Sequence, residues 1–287
     1  MSDNLRGAVL MALAMAGFAL EDMFIKLLAD ALPVGQVLLF LGLGGAVLFG
    51  LIAHRKGQQV LSPALLTRAI LLRNLAELIG TVGFVLGFVL ASLATASAIL
   101  QAAPLFVTLG AVVFLGEKVG WRRWTAIVVG FLGVLLIVRP GMAGFEPASL
   151  FAVIGVIGLA GRDLATRVVP RTVSSYQISS WAFAMLVPAG LFLMVVMQQP
   201  PVLPDAAQTL KLSAALGIGV LAYYAIVAAM RVGELSFVTP FRYTRMLFAL
   251  IVAVLVFGER PDALTLVGAA IIVAAGLFTL WRETKVT

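Results

Sequence analysis

The sequence predicts an all-α membrane protein: ten transmembrane helices, arranged as two inverted five-helix repeats around a central cavity. Three observations predict it. Of the 287 residues, 62% are hydrophobic and 11% charged, with a mean hydropathy of +1.11. Ordinary soluble domains carry roughly a quarter charged residues, so no water-bounded core hides this many apolar side chains. Apolar stretches of about 20 residues, enough to cross a hydrocarbon layer of roughly 30 Å, recur ten times with short connections. Finally, the second half of the chain repeats the first at a nearly constant offset.

The first span, about 5–28, has Arg6 at its start and Glu21, Asp22 and Lys26 at its distal end. No small-residue cleavage site follows, so the segment is expected to stay as a helix and not be removed as a leader. Pro33 precedes the second span, 34–53, and "RKGQQVLSP" (55–63) ends it. The third and fourth spans, 66–90 and 94–114, run to "GEKVGWRR" (116–123), and the fifth covers 121–138. After "RPGMAGFEP" (139–147) come the sixth span, 148–168, and the seventh, 175–197; "QQPPVLPD" (198–205) leads to the eighth, 209–230. The ninth, 235–257, and tenth, 262–281, are separated by "GERPD". Each breaker combines Gly, Pro and polar residues at a place where a helix has to end.

Charge placement sets an orientation. With the N-terminus in the cytoplasm, the inner loops and helix ends collect twelve Lys and Arg residues and the outer side four. The positive-inside rule then predicts an inner (cytoplasmic) membrane protein with both termini cytoplasmic. The net charge of +7 is spread over short loops and not gathered into a basic domain, so no nucleic-acid partner is expected. Zero cysteines and a single histidine, His54, leave no ligand cluster for a metal and no catalytic relay. No GxxxxGK[ST] phosphate loop is present, so energy has to come from a gradient. No cofactor and no enzymatic activity are expected.

Residues 91–118 align without a gap on 233–260, an offset of 142, and "ALEDMFIK" (19–26) aligns on "AGRDLATR" (160–167) at an offset of 141. Gly116-Glu117-Lys118 falls on Gly258-Glu259-Arg260, Asp22 on Asp163, and Lys26 on Arg167. Two repeats follow, 1–140 and 148–287. Because each holds an odd number of spans, the second enters the membrane with opposite polarity, the plan of many secondary transporters.

The ten spans, the two halves and the Gly-Glu-Lys/Arg signature closing the fourth span of each half resemble the drug/metabolite transporter superfamily, specifically its EamA-type members. The small and apolar helix after each signature and the prolines Pro104 and Pro240 fit the same resemblance. It covers nearly the whole chain. It implies a basket of helices around a central cavity, with the fifth and tenth often outside it, and movement of small metabolites, frequently amino-acid export. "FALEDMFIK" (18–26) departs from the tryptophan-containing start usual in many members.

Four arginines lie deep in the spans: Arg73, Arg162, Arg242 and Arg245. A mid-membrane arginine costs from about 3 to over 10 kcal/mol, so it faces the bundle interior and has a partner. Glu77, one turn after Arg73, is an ion-pair partner on the same helix face. Arg242 and Arg245 share a face with Tyr243 beside them and no acid within a turn, so their partner is expected across a helix interface, with Glu77 as one contributor. The expected cavity set is therefore Arg73, Glu77, Gln101, Tyr223, Tyr224, Arg242, Tyr243 and Arg245. Its surplus positive charge receives a substrate carboxylate, and its tyrosines offer an apolar face with a hydroxyl. Glu21, Asp22, Lys26, Arg162 and Asp163 are the expected gating charges towards the two membrane faces.

The resemblance implies a carrier that exports small metabolites, amino acids first, by alternating access, and the cationic surplus of these residues favours a carboxylate-bearing solute. The alternative is a carrier of a larger metabolite or drug, such as a flavin, a nucleoside derivative or a lipophilic compound. A membrane-embedded lipid enzyme lacks an acid/base constellation containing His, Cys or a metal motif, and a non-transporting receptor does not call for an inverted repeat.

Overall fold

The computed structural model describes residues 3–62, 65–116, 120–142, 144–170, 172–232 and 238–283. Its helices are α1 (Asp3–Ala29), α2 (Val34–Arg55), α3 (Arg68–Leu90), α4 (Leu93–Leu100), α5 (Ala103–Leu115), α6 (Trp121–Val138), α7 (Ser149–Arg167), α8 (Ser175–Val196), α9 (Ala206–Val232), α10 (Thr244–Phe257) and α11 (Ala263–Glu283). A 3-10 turn, Thr239–Tyr243, leads into α10. Eight of these segments, counting Leu93–Leu115 as one and Thr239–Phe257 as one, are long and apolar enough to cross a membrane. Two shorter apolar helices, Trp124–Val138 and Ala263–Phe278, complete the ten expected spans. An all-helical solution follows from the solvent, since in hydrocarbon every backbone polar group has to be satisfied within the segment.

The sequence treats the fourth and ninth spans as unbroken, and the structure divides both at the same repeat position. Gln101 and Ala102 interrupt α4 and α5, and the 3-10 turn ends at Tyr243, the residue that aligns with Gln101. These two residues touch: Gln101 Nε2 donates to the Tyr243 carbonyl at 3.2 Å. Gly116 and Gly258 then end the two spans identically, each left-handed (φ 68° and 63°) and each donating its N–H to an alanine carbonyl, Ala111 and Ala253. Glycine adopts that conformation without a Cβ clash.

The dominant pairings are α1 with α9, α2 with α8, α3 with α7, and α6 with α11, while α4 meets α10 near the centre. Exchanging the two halves turns the α1–α9 pair into the α3–α7 pair and leaves the other three unchanged. That is the contact pattern of two five-helix repeats about a pseudo-two-fold axis.

The α3–α7 seam explains how charges enter the interior. Arg73, Glu77, Gly80, Phe84 and Gly87 lie on one stripe of α3, and Gly155, Gly158 and Arg162 on one stripe of α7. Along the antiparallel crossing, Gly87 faces Ala152, Gly83 faces Gly155, and Gly80 faces Gly158. A Cβ added at Gly83 would stand 2.6 Å from the Gly155 nitrogen and 2.8 Å from the Phe151 carbonyl oxygen. Small residues let backbones touch, the main source of helix association in lipid. One turn further on, the same register delivers Glu77 to Arg162. In the repeat-related seam Gly17 meets Ala222, and one turn on Glu21 lies over Gly219.

At the face where α1 ends, the far face, Asp262 caps α11 through its carboxylate to the Thr265 N–H at 2.8 Å and pairs with Arg139. Arg139, and then the Thr265 N–H, hold the Asp262 carboxyl at about 2. A folded-state value below the unfolded one stabilises the fold above about pH 4 and is lost as pH falls towards 2. The side chain is 51% exposed, and screening keeps this contribution below about 1 kcal/mol. Asp262→Asn, which retains a capping oxygen, is expected to leave the melting temperature at pH 7 within about 2 °C of wild type and to flatten its fall between pH 4 and 2. Thermal unfolding in detergent across that range checks this.

Candidate functional site

The deep charges form two groups. In the first, Glu77 accepts from Arg73 at 2.8 Å and from Arg162 at 3.1 Å. Arg162 also holds Asp163 through Nε and Nη2, at 2.9 and 2.8 Å, and Asp163 faces Arg242 at 3.6 Å. Asn74 accepts from Arg73 at 3.0 Å. In the second, Arg245 donates to Asp22 at 2.7 Å, and its guanidinium stands 5.3 Å from the ring centres of both Phe18 and Phe84. That ion pair, with the two rings beside the cation, ties α1, α3 and α10 together.

This arrangement corrects the expected pairing. The partners of Arg242 and Arg245 are Asp163 and Asp22, which are repeat mates of one another, and Glu77 serves Arg73 and Arg162 instead. The expected gating charges Arg162 and Asp163 therefore join the binding charges Arg73, Glu77 and Arg242, and Asp22 joins Arg245, while Lys26 lies apart at the far face. Asp22 is 5% exposed, a position set by the Phe18/Asp22 stripe of α1 turning inward.

The aromatic residues divide differently too. Tyr223 packs against Phe49 and Phe183, both with centroids 5.7 Å away, and edge-on against Phe18 at 6.4 Å. Its hydroxyl is within electrostatic reach of Arg73, Glu77, Arg162 and Asp163. Tyr223 thus stands where a four-ring cluster from α1, α2, α8 and α9 meets the ion cluster. Tyr224, expected in the cavity, instead points outwards at 53% exposure on the same face as Leu221, because a one-residue step turns a helical side chain by about 100°. Tyr243 is also displaced from the cluster: its ring lies on Gly276 of α11, and Gln101 serves the junction of the fourth and ninth spans. Asn74, Phe18, Phe49, Phe84 and Phe183 were not singled out by sequence reasoning; helical spacing from Arg73 and Tyr223 picks out only Phe84.

At the far face a third cluster centres on Glu259 of the repeated signature. Its carboxylate accepts from Lys26 at 2.8 Å, Ser92 Oγ at 3.0 Å, and the Leu93 and Ala94 N–H groups at 2.9 and 3.0 Å. It therefore occupies the positive N-terminus of α4. Burial works to raise the Glu259 carboxyl, and the Lys26 ammonium with the two backbone donors outweighs it, holding the group below its ordinary range. Glu259 and Ser92 border a cavity of about 270 Å³ with Arg139, Glu146, Asp262 and Thr265. The corresponding Glu117 and Lys118 lie outside the described residues. Among those residues no group of three or more His, Cys, Asp or Glu side chains is placed to hold a metal ion.

Eight helices long and apolar enough to cross a membrane and two shorter apolar ones, packed around an internal ion system, define a polytopic membrane protein. The EamA-like transporter family matches residues 5–139 and 147–281, and the chain belongs to that family. Its similarities to characterised relatives span three cargoes. It is 30% identical over 217 residues to an S-adenosylmethionine uptake transporter of Rickettsia bellii, covering 75% of this chain and 73% of the relative. It is 34% identical over 191 residues to a riboflavin transporter of Vibrio cholerae, covering 66% and 62%. It is 27% identical over 278 residues to a pseudopaline exporter of Pseudomonas aeruginosa, covering 95% of each. A crystal structure with 17% identity superposes over 99% of both chains with a TM-score of 0.58, a likeness of fold alone.

Proposed function

We propose that the protein is a gradient-driven inner-membrane carrier of small amphipathic metabolites with an amino-acid head group, working by alternating access. The observation that carries this reading is Tyr223, which joins the Phe18, Phe49 and Phe183 rings to the arginine–carboxylate cluster. A solute with an ionised head and an apolar or ring-bearing body matches both halves of that surface. Amino acids fit it, and so does S-adenosylmethionine, an amino acid bearing a purine. Export is what the family resemblance and the pseudopaline relative suggest, and the S-adenosylmethionine relatives are uptake systems. A carrier without an ATP site follows the gradient it is given. In this reading both termini are cytoplasmic, the repeats are 1–140 and 148–287, and Lys26 with Glu259 closes the outer face. Arg162 and Asp163, with Glu21 and Asp22 deeper in, rearrange as the inner side opens.

A second reading, a carrier of a larger flat metabolite such as a flavin, is favoured by the four-ring cluster and the riboflavin relative. Counterflow into proteoliposomes decides between them. Preloaded phenylalanine, methionine, threonine, S-adenosylmethionine or riboflavin should drive entry of the labelled compound. Exchange of any carboxylate-bearing solute, reduced at least about 10-fold by Tyr223→Ala and much less by Tyr223→Phe, supports the first reading. Exchange of riboflavin alone moves the assignment to the second. Exchange of none of the five sinks both.

A further inference from the structure

Among the described residues, Arg242 is the most loosely paired of the four deep arginines. Arg73, Arg162 and Arg245 have carboxylate oxygens at 2.8, 2.8 and 2.7 Å, whereas Arg242 reaches Asp163 only at 3.6 Å. That separation is outside hydrogen-bonding range. Asp163 is already committed, since its Oδ1 receives two donors from Arg162. Among the described residues, Asp163 is the carboxylate that faces Arg242.

Charge counting points the same way. The group around Glu77 and Asp163 holds three guanidinium ions, those of Arg73, Arg162 and Arg242, against two carboxylates. Glu21 lies in the other seam, over Gly219, and Asp22 is taken by Arg245. At the far end of the same chain of contacts, Arg73 Nε and Asn74 Nδ2 have no acceptor among the described residues, though both side chains are buried. Buried donors without acceptors are costly, so this end of the group has donor capacity to spare. Its surplus is a single positive charge. A single carboxylate group balances it locally, with the ammonium of an amino acid held outside the group, whereas a dianionic phosphate would leave one negative charge buried.

We propose that Arg242 is the receptor for the substrate's carboxylate, which takes the guanidinium as a two-pronged partner in place of the loose Asp163 contact. The inference rests on the carrier reading above and names the residue that selects for the carboxylate. Arg242 is suited to it by position as well as charge. It lies on the 3-10 turn before α10, where backbone hydrogen bonding is weaker than in an α-helix. Its side chain is 35% exposed, against 2% for Arg73 and 18% for Arg245.

The test compares phenylalanine with phenylalaninamide, which keeps the ring and the amine and lacks the carboxylate, as competitors of labelled phenylalanine counterflow. Wild type is expected to prefer phenylalanine by about 10- to 100-fold, the range for a charge-assisted, two-pronged hydrogen bond. Arg242→Gln should bring the preference below about threefold, and Arg242→Lys, which keeps the charge but not the fork, should fall between. A merely structural role would weaken both competitors alike and leave their ratio unchanged. Where flux is too low, thermal stabilisation of the purified variant by each compound reads the same ratio. A folded Arg242→Gln protein with the wild-type ratio overturns the receptor assignment alone. Absence of wild-type exchange with phenylalanine, methionine, threonine and S-adenosylmethionine alike overturns the substrate reading and the receptor with it.

Discussion

Arg245→Met is expected to abolish counterflow while the protein still inserts in the membrane. Arg245 Nη2 is 2.7 Å from the Asp22 carboxylate, with Phe18 and Phe84 rings on its guanidinium, so one side chain links three spans. Removing it leaves Asp22, 5% exposed, as a buried carboxylate without its counter-ion, a change that costs about 3–5 kcal/mol. The companion variant separates stability from transport. Adding Asp22→Asn removes the stranded charge and should restore more than half of the lost stability without restoring flux. Thermal unfolding and counterflow on the two single variants and the double variant complete the cycle. Flux above about a tenth of wild type in Arg245→Met, with the protein folded, would show that this pair is outside the transport pathway.

Gly83→Leu is expected to leave no monodisperse folded protein. The obstacle is backbone on the opposite helix: an added Cβ already stands 2.6 Å from the Gly155 nitrogen, and a leucine has to push α3 and α7 apart along their whole crossing. Overpacking typically costs about 1–3 kcal/mol where side chains can yield, and here the neighbouring atoms are fixed in α7. Separating the seam also pulls Glu77 away from Arg162, one turn along. Gly217→Ala is the matched control, since a Cβ there meets nothing within 4 Å, and helix propensity alone favours the alanine by up to about 1 kcal/mol. Size-exclusion profiles and melting curves of the two variants distinguish seam packing from a general intolerance of glycine replacement.

Much of this architecture is legible in the chain itself. Span boundaries are set by where apolar runs meet Gly and Pro, and the observed helices end within a few residues of those points. The aligned Gly-Glu signatures reveal the repeat because the two fourth spans end on the same left-handed glycine. Partner choice was harder to read. Arg242 and Arg245 have no acid nearby in sequence, and whether Glu77, Asp22 or Asp163 answers them depends on which turns of α1, α3 and α7 face inward. The glycine register supplies that information: with Gly80 against Gly158, Glu77 comes to Arg162. Tyr224 was misplaced for the opposite reason. Two adjacent tyrosines look alike by composition, yet neighbouring helical positions point about 100° apart, and only Tyr223 has Phe49 and Phe183 to pack against.

The two halves also complete one another's charges. Asp22 and Asp163 occupy the same repeat position, yet both are faced by arginines from the ninth span, while the fourth span carries Leu100 and Ala103 where Arg242 and Arg245 stand. A pair of first halves would bring together two Asp22 carboxylates with no such guanidinium to meet them, and a pair of second halves would carry duplicate arginine pairs. A symmetric pair of either half would leave its central charges unbalanced. Helix packing therefore keeps the pseudo-symmetry of the two repeats, while the charges at their centre break it.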